Sequence, residues 1–206
     1  MRAVSLLIKS FVNFIPFLSP FLEKIPTKFL PMPVENMVAL VSRTGRHMQR
    51  YDSKGCRLVV GCVPYRHKKQ PASIEDLEVL LISSQNGHSM LFPKGGWEKD
   101  ECTMEQALSR ETIEEAGVIG SIECKLGKWG YKSKRKSKGV WHECCMFSLH
   151  VERELESWPE MNFRKRKWVT VAEAKEECHV LWMKDALDKF VDYQTNELRK
   201  SETTTK

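Results

Sequence analysis

The sequence predicts an α/β sandwich on a mixed central sheet. Short apolar runs rich in Val, Leu and Ile alternate with helix-like segments, a Gly/Pro loop leads straight into a sharply bounded helix, and an apolar stripe at helical spacing closes the chain. No internal repeat and no second domain is evident. With 206 residues, 41% of them hydrophobic and 29% charged, the composition excludes a largely disordered, collagenous or multi-span membrane chain.

Met37–Ser42 and Leu58–Val63 read as strands flanking a polar turn at Tyr51–Gly55. Leu77–Ile82 is a third, ended by the turn Gln85-Asn86-Gly87. Phe92-Pro93-Lys94-Gly95-Gly96 reads as a loop. Val140–Val151 is a long β-like run and Lys167–Val171 a short one. Val171–Cys178 and Met183–Leu198 read as helices, the second carrying Ala186, Leu187, Phe190 and Val191 on one stripe.

The termini fall outside this domain, which is expected over residues 35–198. Residues 1–34 are apolar and poor in acids, but Lys9, Asn13, Pro16 and Pro20 interrupt them, so no membrane span is expected. They read equally as an organelle transit peptide or as a surface-packed extension, and residues 199–206 as a disordered tail. Seven cysteines with no C-x-x-C pair suggest neither a zinc site nor a disulfide framework. They read as reduced thiols of an intracellular compartment: cytoplasm or nucleus, or mitochondrion or chloroplast if the leader is a transit peptide.

The net charge of +6 conceals a segregation. Seven Lys and Arg and no acid lie between Lys125 and Gly139, and Arg164-Lys165-Arg166-Lys167 adds another basic run. Acids gather instead at Glu98, Asp100, Glu101, Glu105, Glu111, Glu114 and Glu115. Such a chain can hold a metal cation at one place and a polyanion beside it.

Thr103-Met104-Glu105-Gln106 has the pattern of a capping box, and Gly117 supplies the residue that stops a helix in the left-handed region. Between them, Glu111, Glu114 and Glu115 stand at i, i+3 and i+4 and share one face. Like charges so placed repel by a few tenths of a kcal/mol per pair on an isolated helix, roughly. A divalent cation would reverse that sign. Three carboxylates with no His or Cys nearby favour a hard ion, Mg²⁺ or Mn²⁺, together with phosphoryl chemistry; the competing reading is a solvated acidic face.

Gly96-x5-Cys102-x7-Arg110-Glu111-Thr112-Ile113-Glu114-Glu115-Ala116-Gly117-Val118 resembles the Nudix box, G-x5-E-x7-R-E-U-x-E-E-x-G-U with U aliphatic. On these residues the chain is identified as a member of the Nudix hydrolase family over about residues 36–195. Phe92-Pro93-Lys94-Gly95-Gly96-Trp97 and Lys128-Trp129-Gly130 resemble the plant branch related to diphosphoinositol polyphosphate phosphohydrolases and diadenosine polyphosphate hydrolases. The resemblance implies a Nudix α/β/α sandwich, Glu111 and Glu115 as metal ligands, Glu114 as general base, and Arg110 as the ion-pair partner that orients them, with Gly95, Gly96 and Glu101 in support.

Two departures stand out. Thr112 replaces an aliphatic residue. Counting back from Arg110, the expected glutamate falls on Cys102, with Glu101 one place early, and this shift predicts weakened metal binding that Cys102→Glu would restore.

The resemblance also implies a small-molecule polyphosphate substrate, foremost an inositol pyrophosphate, with diadenosine polyphosphates, NADH or ADP-ribose as the alternative. Contacts would come from Arg50, Arg57, Ser83, Ser84, Gln85, Lys134, Arg135, Lys136, Arg164 and Arg166. An adenine substrate would need an aromatic platform, for which Trp97, Trp129, Tyr131 and Trp141 are available. A different class of reading is a catalytically weak polyanion- or RNA-binding module. No RNA-binding motif accompanies the basic run, so nucleic acid is not an expected partner, and no obligate protein partner is indicated.

Overall fold

The computed structural model describes residues 41–69, 73–132 and 139–204. Seven strands form one mixed sheet: β1 (Arg57–His67), β2 (Leu77–Ser83), β3 (Met90–Leu91), β4 (Lys94–Gly96), β5 (Val118–Lys132), β6 (Trp141–Glu154) and β7 (Arg166–Thr170). The path runs β3-β2-β1-β6-β5, with β4 added to β1 and β7 to β2. The β1–β6 pair is parallel and the other pairs are antiparallel.

Both faces of the sheet are covered. On β1, Val59, Val63 and Tyr65 join the cluster beneath α2 (Val171–Glu177) and α3 (Leu181–Thr204), while Val60 and Cys62 turn to the cluster beneath α1 (Met104–Ala116). A strand buried on both sides must be apolar at successive positions, which is why β1 and β2 are legible as continuous runs. The stripe on α3 buries Ala186, Leu187 and Phe190 against the sheet.

Several expectations need correction. Phe92–Gly96 is not wholly a loop, because Lys94, Gly95 and Gly96 pair with Gly61, Val60 and Val59. The sequence reading missed β5, a fifteen-residue strand that shows water one face along most of its length and is broken by three register shifts, at Gly120, between Ile122 and Lys125, and at Gly127. Its three glycines and scattered lysines hid it. The helix expected to end at Leu198 continues to Thr204, into the segment expected as a tail. Of the expected strand Met37–Ser42 only Val41 and Ser42 are described, and neither is in a strand. Among the described residues all seven cysteines are free, and no helix is long and apolar enough to cross a membrane.

The sheet and its bracing place the ends of α1 firmly. The Thr103 hydroxyl accepts from the Gln106 N–H and the Gln106 side-chain oxygen accepts from the Thr103 N–H, closing the capping box. At the other end Gly117, at φ 63°, donates to Ile113 and Thr112. Thr112, the unusual residue in the box, is buried, and its hydroxyl donates to the Leu108 and Ser109 carbonyls at 3.0 Å, so the polar atom is satisfied within the helix. Thr103→Ala should cost about 1 kcal/mol in a denaturant titration and leave the catalytic constants within error, since the cap lies at the far end of α1 from the clustered glutamates. A loss of activity larger than the loss of stability would contradict that division.

Candidate active site

Glu111, Glu114 and Glu115 occupy the last turns of α1 and converge on one cavity of about 660 Å³. Its acidic side also includes Glu98 and Glu160, and its basic side Arg43, Arg46, Arg57, Lys94 and Arg164. Ser84 and Gln85 stand at the rim.

The Gly95-Gly96 turn makes this convergence possible. A Cβ on Gly95 would lie 1.8 Å from the Glu111 carboxyl, and one on Gly96 would lie 1.4 Å from Gln49 Oε1. Only a residue without a side chain fits at these two positions.

Arg110 sits beneath the cluster. Its Nε donates to Glu101 Oε1 at 2.6 Å, one terminal nitrogen donates to Glu111 at 2.7 Å and reaches Glu114 at 3.4 Å, and the other donates to the Gly96 carbonyl at 2.9 Å. Burial by itself would lower its pKa, but the bonds to Glu101 and Glu111 outweigh that and leave it raised. Glu101 completes the brace by accepting from the Glu98 N–H at 2.8 Å. The register question is thereby resolved: Glu101 reaches Arg110, whereas Cys102 is exposed and its N–H donates to Gln106. The ground for expecting weakened metal binding disappears.

Burial raises all three helix carboxyls. Glu111 is pushed up to about 8, first by desolvation and then by the charge of Glu115, against the pull of Arg110. Glu114 is raised by burial and held back by Arg110 and by the Arg43 N–H, which donates to it at 3.3 Å. Glu115 is raised by burial against Lys94, whose N–H donates to it at 2.8 Å, and against Arg164, whose guanidinium donates to its other oxygen.

Among the described residues no three His, Cys, Asp or Glu groups make a ready-formed metal cage. The site still fits a hard divalent cation. Glu111 and Glu115 are buried carboxylates that repel one another, all donors are oxygens, and Mg²⁺ ordinarily binds through one or two carboxylates plus substrate phosphates.

The expected substrate contacts divide sharply. Arg57, Ser84, Gln85 and Arg164 line the cavity. Arg164, however, is buried and each of its three nitrogens already donates within the protein, to Glu160, the Ser83 carbonyl and Glu115, so it braces Glu115. Arg50 does not line the cavity: it donates to the Glu98, Lys99 and Glu101 carbonyls and lies over the Trp97 ring. Arg166 caps the end of α1 through the Ala116 and Gly117 carbonyls and covers Trp158. Ser83 is buried, its hydroxyl accepting from the Lys165 N–H. Lys134, Arg135 and Lys136 lie outside the described residues. Sequence reasoning passed over Arg43, Arg46, Gln49, Lys94, His142 and Glu160. Only Lys94 carried a local signal, its place directly before the two glycines.

A three-layer α/β/α sandwich that aims helix carboxylates past a diglycine turn into a cation-walled cavity defines a hydrolase of phosphate anhydrides. The chain belongs to the Nudix family: the NUDIX domain model matches residues 56–190. It is 54% identical over 194 residues to Nudix hydrolase 4 of Arabidopsis thaliana, covering 92% of both chains. To Nudix hydrolase 21, chloroplastic, of the same plant it is 51% identical over 197 residues, covering 92% of this chain and 96% of the relative. It is 32% identical over 133 residues to diphosphoinositol polyphosphate phosphohydrolase 3-alpha of Mus musculus, covering 63% and 74%. Among solved structures, an Ap4A hydrolase binary complex from C. elegans superimposes with a TM-score of 0.51 at 23% identity, covering 68% of this chain and 98% of that one, a likeness of fold. The protein is therefore a Nudix hydrolase that cleaves a pyrophosphate bond, and Nudix hydrolases use divalent metal ions.

Two outcomes follow from the geometry. A buried carboxyl with a raised pKa stabilises the fold below its ordinary value and loses that contribution as pH rises through about 8. In chelator the melting temperature should therefore fall between about pH 4.5 and about pH 8, and Mg²⁺ should restore it most at the upper end. A Mg²⁺ effect of equal size at every pH would contradict this. Cys102→Glu should leave the Mg²⁺ concentration for half-maximal rate within about twofold, because position 102 faces water.

Proposed function

We propose that this hydrolase acts on diphosphoinositol polyphosphates, with Glu111 and Glu115 holding Mg²⁺ or Mn²⁺ and Glu114 serving as general base. Water adds to a phosphorus of the diphosphate, the bond to the departing phosphate oxygen breaks, and the proton of the water passes to Glu114. A bound cation makes water easier to deprotonate and neutralises charge on the leaving phosphate. Glu114 suits the base role because its partners hold it loosely, at 3.3 and 3.4 Å, while burial raises its proton affinity above that of an ordinary carboxylate. Arg110 keeps Glu111 and Glu114 apart and oriented, and Arg164 does the same for Glu115.

The observation that carries the choice of substrate is the lack of an open aromatic face in the cavity among the described residues. Tyr131 lines the cavity, but His142 stacks on it at 4.9 Å and Trp182 at 5.0 Å, with interplanar angles of 13° and 12°. Trp129 packs near Trp182 and donates to Asp185, Trp97 is covered by Arg50, and Trp141 stands outside the cavity wall. Among the described residues an adenine ring finds no open aromatic platform in the cavity, whereas Arg43, Arg46, Arg57 and Lys94 suit a ring bearing many phosphates. The likeness to the mouse phosphohydrolase supports the same reading.

The test is a Mg²⁺ assay on inositol pyrophosphates, diadenosine polyphosphates, NADH and ADP-ribose. Inositol pyrophosphates should turn over fastest, and Glu114→Gln should reduce kcat by roughly 10²- to 10⁴-fold with KM little changed. Turnover of the adenine compounds alone would overturn the proposal.

A further inference from the structure

The arginines of the cavity are held in two different ways. Arg110 and Arg164 are tied to buried carboxylates, which take up their charge. Arg57, the first residue of β1, is tied to a neutral amide instead: its Nε donates to Gln49 Oε1 at 2.8 Å. Among the described residues no carboxylate pairs with Arg57, and no protein group accepts from its two terminal nitrogens.

Gln49 is buried, where an unpaired amide would be costly. The backbone puts it there. The Arg50 N–H donates to the Trp97 carbonyl at 2.9 Å and the Lys99 N–H to the Met48 carbonyl at 2.8 Å, so Gln49 and Glu98 face one another across a short antiparallel bridge. The side chain runs beside Gly96, where a Cβ would also lie 2.5 Å from a terminal nitrogen of Arg57. Its amide nitrogen donates to Glu98 Oε1 at 2.9 Å. The amide fits in one orientation only, since a guanidinium can only donate and a carboxylate only accept. Glu98 is fixed in turn: its other oxygen accepts from Arg43 at 2.7 Å, and its N–H donates to Glu101, the partner of Arg110. An unbroken chain of polar contacts thus runs from Arg57 to the arginine beneath the helix glutamates.

We infer that Gln49 is a positioning residue that fixes Arg57 without neutralising it. A carboxylate in its place would also hold the guanidinium, but it would take up the charge and compete with a substrate phosphate for the nitrogens. A neutral oxygen bonded to Nε alone leaves a full cation with both terminal nitrogens available to an anion in the cavity that Arg57 lines. Gln49 acts through Arg57 and on no reacting atom. The inference rests on the reading of Arg57 as a substrate contact, but on no particular carrier of the phosphates.

The full chain carrying Glu114→Gln, with Mg²⁺ present, would be titrated calorimetrically with inorganic tripolyphosphate, alone and with Gln49→Met, Arg57→Ala or both. Each single change should weaken binding about tenfold. The pair should bind no more than about twofold more weakly than Arg57→Ala, because Gln49 has nothing to position once Arg57 is gone. Gln49→Glu keeps the length of the side chain and the acceptor for Nε, yet should also weaken binding about tenfold by drawing off the charge; it decides the question if Gln49→Met does not fold. With Glu114 intact, Gln49→Met should raise KM for an inositol pyrophosphate about tenfold and leave kcat within about threefold. Unchanged affinity in Gln49→Met or in Gln49→Glu would overturn the inference, as would a loss from Gln49→Met of the same size with and without Arg57. If Arg57→Ala leaves the affinity unmoved, the reading of Arg57 as a contact fails and the role of Gln49 with it. If the expected pattern is found with tripolyphosphate while inositol pyrophosphates are not cleaved, the substrate assignment fails and the role of Gln49 stands.

Discussion

The Arg110 guanidinium is the interaction on which the site depends. It ties together the Gly96 carbonyl from β4, Glu101 from the loop and Glu111 and Glu114 from its own helix, so one side chain sets the distance between the diglycine turn and the glutamate face of α1. Removing it would leave several carboxylates buried without a counter-charge, a cost of several kcal/mol roughly, because desolvated anions cannot recover their lost hydration. The same burial that makes Arg110 necessary raises the proton affinity of the three helix glutamates.

A second arginine plays the matching part on the far side. Arg164, after β6, reaches Glu115, Glu160 and the Ser83 carbonyl, and thereby joins the end of β2 to α1. Arg166 closes the end of α1 nearby. The basic run that the sequence presents as a phosphate-binding patch is thus divided, with alternate residues turned inward as bracing. Charge that appears free in a sequence is often committed in a fold, because buried carboxylates and helix ends need partners.

What remains for an anion comes from parts of the chain that are distant in sequence. Arg43 and Arg46 precede β1, Arg57 opens it, Lys94 begins β4 and His142 is near the start of β6. The mixed topology brings these together, since the parallel β1–β6 pair sets Arg57 beside His142 and the antiparallel β1–β4 pair sets Lys94 opposite Gly61. The cavity is therefore two-sided by construction, acidic where the helix ends and basic where the strands begin.

The sequence by itself determined the α/β class, the capped helix, the shared face of Glu111, Glu114 and Glu115 and the family, because these depend on short-range spacing: a helix repeat, a cap at each end and a diglycine turn. It left open whether Glu101 or Cys102 fills the first glutamate position of the box, and counting alone favoured Cys102. Only the tertiary structure decided that Glu101 reaches Arg110 despite its shifted place, since a loop can absorb one residue if its backbone finds partners. Only it showed that β5 is a strand, that Arg50, Arg164 and Arg166 are braces, and that both faces of Tyr131 are covered. Those outcomes turn on which side chains long-range strand pairing brings within hydrogen-bonding reach, a matter that residue spacing along the chain does not encode.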